Sequence, residues 1–283
     1  MDFRTEVNIG KADYEILPSD RLLFVGSCFA DNLGKRFVEN RFRAVVNPYG
    51  VMYNPTSVNH SVERFLKGEA FSHEDNSAAA DASDSRKVDV AIFTLGTNHV
   101  YILKETGEVV DNCQKRPQRL FEERELTVGA CVVELSKAVW ALLGQGVKRI
   151  IVTVSPIRYA KYGFHKSQLS KATLLLAADL LCERFPEVVR YFPAYEIVND
   201  ELRDYRFYKE DMLHPSDQAV EYIWQKFRQA YFGKAAEEML AEWKPIKEAL
   251  GHKPFDPDSE ATKQFIAKTE EKKRQFEEKY FKQ

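Results

Sequence analysis

The chain reads as an α/β protein wound on both sides of a parallel sheet, and three observations carry that reading. Apolar runs of strand length at Arg21–Val25, Val88–Leu95 and Arg149–Val154 are nearly continuous instead of alternating, as in strands buried on both faces. Five strand-like runs alternate with segments whose apolar residues recur at helical spacing. The 283 residues, 44% of them hydrophobic, are enough to bury a large core in one domain, or in one domain with an extension.

Taken in order, residues 1–20 carry few periodic apolar positions and end in the turn cluster Pro18-Ser19-Asp20. The first strand, from Arg21, runs into Gly26-Ser27 and then a helix marked by Phe29, Leu33 and Phe37. Phe42–Val46 is a second strand, followed by the loop strings Asn47-Pro48-Tyr49-Gly50 and Asn54-Pro55-Thr56. Thr56 is placed to cap a helix ending near Lys67. From Gly68 to Arg86 the composition turns to Ser, Ala, Asp and His without periodicity and reads as a surface loop.

The third strand, Val88–Leu95, stops at Gly96-Thr97-Asn98-His99. Val100–Leu103 and Glu108–Val110, joined through Glu105-Thr106-Gly107, predict an inserted hairpin. Residues 126–143 have helical spacing and are closed by Gly144 and Gly146. The fourth strand, Arg149–Val154, ends in Ser155-Pro156. Ser170–Phe185 predicts an apolar helix, and Val188–Phe192 the last strand. After Asp211-Met212-Leu213-His214-Pro215 comes a helix with Ala219, Val220, Ile223, Trp224 and Phe227 on one face. From about Lys234 the chain changes character: Leu240, Trp243, Ile246 and Leu250 mark one packed helix. Beyond Pro257, charge dominates around isolated Phe265, Phe276 and Tyr280, which predicts an exposed helix. The division expected is 1–232 for a catalytic domain and 233–283 for a charged helical extension.

The net charge of −2 gives no electrostatic reason for nucleic acid or an anionic membrane as partner. Met1–Glu6 opens no signal sequence and no run approaches the length of a spanning helix, so a cytoplasmic location is expected. Cys28, Cys113, Cys131 and Cys182 form no CxxC pair and read as reduced thiols. Walker, GxGxxG, HExxH and GxSxG strings are absent, and no metal or cofactor is expected.

Two features remain that carry chemistry. Ser27 stands where a strand turns into a helix, at the sheet edge where open α/β folds hold ligands. Unpaired N–H groups at the helix start suit an oxyanion there. A Gly-Ser at such a turn serves more often as a cap than as a nucleophile, so Ser27 needs partners. Asp211 and His214, three residues apart, supply an imidazole and the carboxylate that fixes its tautomer. Read alone, the pair is equally a capping Asp and a surface His. Cys28 beside Ser27 is a rival nucleophile, though a small packing residue fits it better. Arg158 and His165 fall on the substrate rim or in a solvated loop. His99 either assists Asn98 or faces solvent.

The order Ser, Asp, His resembles the SGNH/GDSL hydrolase superfamily, and within it the GSCFA domain family, whose naming string stands here as Gly26-Ser27-Cys28-Phe29-Ala30. Supporting strings are Asn47–Gly50, Thr94–Thr97, Ser155-Pro156, Ser170-Lys171, Tyr191–Glu196 and Asp211–Pro215, which span the core from 20 to about 230. The resemblance implies a three-layer α/β/α sheet, flavodoxin-like in arrangement, with a site of Ser27, Asp211 and His214. It further implies oxyanion donors at the loops carrying Gly50 and Asn98. The chain departs from the superfamily pattern at Gly96-Thr97-Asn98-His99, so Thr97 stands as an alternative to Asn98, and Gly50 as a plain turn residue. The function implied is ester hydrolysis through an acyl-enzyme on a small-molecule or carbohydrate ester, O-acetylated sugar being the superfamily association. Acyl transfer from the same site, or a non-catalytic glycan-binding module, are the alternatives.

Overall fold

The computed structural model describes residues 5–72, 86–111, 113, 116–254, 256 and 259–281. The strand the sequence places first, β1 (Arg21–Gly26), is an interior strand with a hydrogen-bonding partner on each edge. It pairs in parallel with β2 (Arg43–Val46) and β3 (Val90–Leu95), and Gly26 sits opposite Thr94 in the second register. In the inserted unit β4 (His99–Leu103) is flanked by β5 (Val109–Val110) and β6 (Phe121–Glu125). The main sheet resumes at β7 (Arg149–Val154) and ends at β8 (Val189–Tyr191), in the order β2-β1-β3-β7-β8, all parallel.

Parallel strands require crossovers, and helices supply them on both faces. Side chains alternate along β1, so Leu22 and Phe24 enter one core while Leu23 and Val25 enter the other. The first core holds α1 (Cys28–Glu39), α6 (Asp217–Tyr231), α7 (Lys234–Leu250) and one side of α8 (Glu260–Phe281). Its centre is Phe37, which meets Phe24, Phe42, Trp224 and Phe227 at ring-centroid distances of 4.9–5.6 Å. The second core holds α2 (Pro55–Leu66), α3 (Val128–Leu143) and α4 (Phe164–Arg184). The short α5 (Ala194–Glu196) follows β8. The result is a three-layer α/β/α fold, as the sequence predicts.

Several local expectations change. The cap of α2 is Asn54, whose side chain accepts the Ser57 N–H at 2.9 Å, while Thr56 lies inside the first turn. Helix α4 begins at Phe164, six residues early, because the only apolar residues of its first two turns, Phe164 and Leu169, are exposed and give no buried stripe to read. The inserted hairpin gains a third strand, Phe-Glu-Glu-Arg-Glu, which carries a single apolar residue yet pairs with β4 along its whole length. The tail helix α8 is exposed along much of its surface, but Phe276 is buried against Trp243 with ring centroids 5.0 Å apart. Of the loop expected from Gly68 to Arg86, residues 73–85 lie outside the described residues. Among the described residues, no helix is long and apolar enough to cross a membrane.

Candidate active site

The turn after β1 is built around a close approach. Gly26 has φ +148°, and a β-carbon on it would stand 2.2 Å from the Thr94 carbonyl oxygen, so only glycine fits. The contact lets Ser27 N–H donate to that carbonyl at 2.9 Å. Ser27 is fully buried, with its Oγ 3.1 Å from Thr94 Oγ1 and accepting the Phe29 N–H at 3.2 Å as the cap of α1. Cap and candidate nucleophile are therefore one side chain. Asn47, in the string after β2, accepts the Gly26 N–H on Oδ1 at 2.9 Å and donates from Nδ2 to Asp31 at 2.6 Å. The Met52 N–H donates to the Gly26 carbonyl at 2.8 Å, which completes the clamp.

The second half of the site lies in the loop before α6. Asp211 Oδ1 accepts the N–H groups of Leu213 (2.8 Å) and His214 (2.9 Å), and Oδ2 faces His214 Nδ1 at 2.6 Å. The backbone donors, His214 first, hold the Asp211 carboxyl down to about 2. A carboxylate only accepts, so Nδ1 carries the hydrogen and the Nε2 lone pair is left for chemistry. This loop is tied to the end of β7: the Arg158 N–H donates to the Leu213 carbonyl at 3.0 Å and its guanidinium to the Met212 carbonyl at 2.9 Å. Ser216, two residues on, caps α6. Since α6 packs against α1, Ser27 and His214 precede neighbouring helices at the carboxyl edge of the sheet. Among the described residues, no hydrogen bond joins His214 to Ser27, and the His214 and Asp211 side chains are 37% and 44% exposed.

The expected oxyanion donors are engaged within the protein. The Gly50 N–H closes a turn onto the Asn47 carbonyl at 2.9 Å, with Gly50 at φ +90°. Asn98 donates from its side-chain amide to the Leu126 carbonyl at 2.9 Å and from its backbone to Ser170 Oγ at 3.0 Å. The alternative, Thr97, spends its N–H on the Tyr53 carbonyl and its hydroxyl on Ser170. His99 does neither thing expected of it: it is buried and stacked on Tyr162 at 3.8 Å, and burial lowers its tendency to protonate. Cys28 stays beside the elbow with Sγ 3.4 Å from the Tyr53 hydroxyl, and His165 is exposed at the start of α4.

A cleft of about 590 Å³ opens next to these loops, walled by Tyr53, Thr97, Tyr101, Tyr159, Lys161 and Tyr162. A comparable hollow at the β8 edge, about 660 Å³ and lined by Arg190, Tyr191 and Tyr231, holds none of the site residues.

Sequence reasoning named Lys171 only within the string Ser170-Lys171 and gave it no role. Fully buried in α4, it donates to the Gly96 and Ser155 carbonyls at 2.7 Å each, tying together the ends of β3 and β7. Burial pulls its ammonium group down to about 7. A neutral amine has two hydrogens, enough for both carbonyls. The signal available was position: Lys171 lies three and seven residues before Leu174 and Ala178, on the buried stripe of the helix.

Comparisons with solved structures give a Bacteroides fragilis protein (10% identity, 80% of this chain and 91% of that one, TM-score 0.47) and a GDSL-like lipase from Bacteroides thetaiotaomicron (10%, 77% and 88%, TM-score 0.45). An acetyl-xylooligosaccharide esterase from Geobacillus is also similar (13%, 81% and 98%, TM-score 0.39). With TM-scores below 0.5, no residue role or substrate is carried from them to this chain. No curated protein matches the sequence. The GSCFA family model matches residues 21–85 and 75–227, and that of the GSCFA domain protein C-terminal domain matches 243–282. The elbow, the clamp on it and the Asp-His loop all fall within the first match, and the chain belongs to the GSCFA family.

Proposed function

We propose that this protein is a serine ester hydrolase in which Ser27 forms the acyl-enzyme, His214 is base and then acid, and Asp211 orients the imidazole. One observation carries the reading: the 2.6 Å pairing of His214 Nδ1 with Asp211, in a loop fastened to the carboxyl edge of the sheet that also carries Ser27. A serine hydroxyl is a weak nucleophile until its proton has somewhere to go. His214 Nε2 takes that proton as Ser27 Oγ bonds to the ester carbon, then returns it to the departing alkoxide. Water resolves the acyl-enzyme by the same exchange in reverse. For His214 to receive the proton, the Ser27 hydroxyl turns away from Thr94, its present partner.

The substrate class proposed is a small-molecule or carbohydrate ester, with O-acetylated sugar first. The tyrosine-walled cleft supports it, since aromatic faces with hydroxyl rims suit a polar ring. Residues 1–232 are assigned as the catalytic unit and 233–283 as the extension, supported by where the two family matches fall.

A fluorophosphonate serine probe tests the reading. The parent is expected to label, with both Ser27→Ala and His214→Ala unlabelled, and p-nitrophenyl acetate turnover should fall at least about 10⁴-fold in each. A parent that neither labels nor turns over the ester overturns it and leaves a non-catalytic binding module. Turnover that rises with an added sugar acceptor marks acyl transfer.

A further inference from the structure

Ester cleavage places negative charge on the carbonyl oxygen, and the donors that receive it must stand free before the reaction begins. Around Ser27 nearly every donor is already spent. The Ser27 N–H goes to the Thr94 carbonyl, Phe29 N–H to Ser27 Oγ and Ala30 N–H to the Ser27 carbonyl. Gly50, Thr97 and Asn98 are engaged as described above. On the backbone, among the described residues, this leaves the Cys28 N–H, at the first position of α1, where helices leave their donors unpaired.

One side-chain donor stands out against this background. The Tyr159 hydroxyl is buried and has no hydrogen-bond partner among the described residues. It lies over Gly96, where an added β-carbon would stand 3.0 Å from it, two residues beyond the Thr94 that holds Ser27. Its ring meets Tyr53 edge-on at 5.9 Å, and the Tyr53 hydroxyl in turn reaches Cys28 Sγ at 3.4 Å. Tyr159 thus shares the wall of the 590 Å³ cleft with Tyr53, the residue that touches the elbow at Cys28. The Tyr159 N–H is anchored on Ser167 Oγ at 3.2 Å, and Lys171 Nζ stands 5.5 Å from the ring centroid. A phenylalanine would fill the same space without leaving a hydroxyl unpaired, which is costly in a folded interior.

We propose that the Tyr159 hydroxyl is the side-chain donor of the oxyanion site, meeting the ester carbonyl oxygen as Ser27 attacks, with the Cys28 N–H beside it. The inference rests on the acyl-enzyme reading. As the Ser27 Oγ–carbon bond forms, the carbonyl π pair moves onto oxygen, and Tyr159 donates a hydrogen bond without giving up its proton. Burial pushes the Tyr159 hydroxyl well above the ordinary phenol pKa range, so it stays a neutral donor.

Tyr159→Phe in the full chain, assayed with p-nitrophenyl acetate, tests this. The expected result is a fall in kcat of about 10²-fold with KM unchanged, slower fluorophosphonate labelling of Ser27, and a melting temperature equal to or above the parent's. A kcat within twofold of an active parent overturns the inference and leaves the hydrolase reading standing. So does a rise in KM alone, which marks a ground-state contact, or a loss of activity that follows a loss of stability. A parent inert to both probe and ester overturns the two together.

Discussion

The elbow at Ser27 and the loop at His214 make opposite use of the same sheet edge. Ser27 is fully buried, and its position follows from the core: Gly26 packed on Thr94, Asn47 clamping the turn, and α1 starting at once. The Asp211–His214 pair is exposed, and its geometry comes from backbone hydrogen bonds within one loop and to Arg158. The proposed nucleophile is thus held by tertiary packing and the proposed base by local turn chemistry. A change in the elbow therefore costs stability and activity together, and a change in the loop costs activity alone.

The largest test is Gly26→Ala. A methyl group 2.2 Å from the Thr94 carbonyl oxygen forces β1 away from β3. We expect a loss of about 3 kcal/mol in denaturant unfolding together with loss of esterase activity. An alanine variant of parental stability would mean that the elbow tolerates slack, and the contrast with the loop would collapse.

Asp211→Asn probes the other side. An Asn oxygen still accepts the Leu213 and His214 N–H groups, but the oxygen facing His214 Nδ1 becomes an amide nitrogen, which favours the wrong tautomer. We expect kcat to drop on the order of 10³-fold, with the melting temperature nearly unmoved. Parental turnover in this variant would relegate the pair to a surface contact.

Lys171 gives a third and milder contrast, through pH. Unfolded, its amine holds a proton up to its ordinary value, and folded only to about 7. Between those limits the unfolded state carries the extra proton, so stability rises with pH by up to about 1.4 kcal/mol per unit. Below pH 7 the term is flat. Above about pH 10 the buried tyrosines Tyr14, Tyr159 and Tyr231 keep their protons in the fold while the unfolded chain releases them, so they make stability fall with pH and oppose the Lys171 rise. Lys171→Met should remove the rise between pH 7 and 9.5 in urea titrations. A variant with the parent's pH profile would show that the buried amine stays charged.

Much of this molecule was legible because the information was local. Continuous apolar runs marked β1, β3 and β7 as central strands, and β7 falls on the residues expected, Arg149–Val154. The DxxH geometry was legible for the same reason, since three residues suffice for a carboxylate to cap its own turn and reach the ring. What the sequence by itself determined was the layered fold, the elbow and the Asp-His pair. Only the tertiary structure decided which donors remain free. Asn98 meets a carbonyl 28 residues away, Ser27 a threonine 67 residues away and Lys171 a carbonyl 75 residues away. Strand β6 needed β4 to exist, because a charged run has no preference that a partner strand does not impose. Periodicity reports which face a residue turns inward, whereas a hydrogen bond depends on what other segments bring to that face.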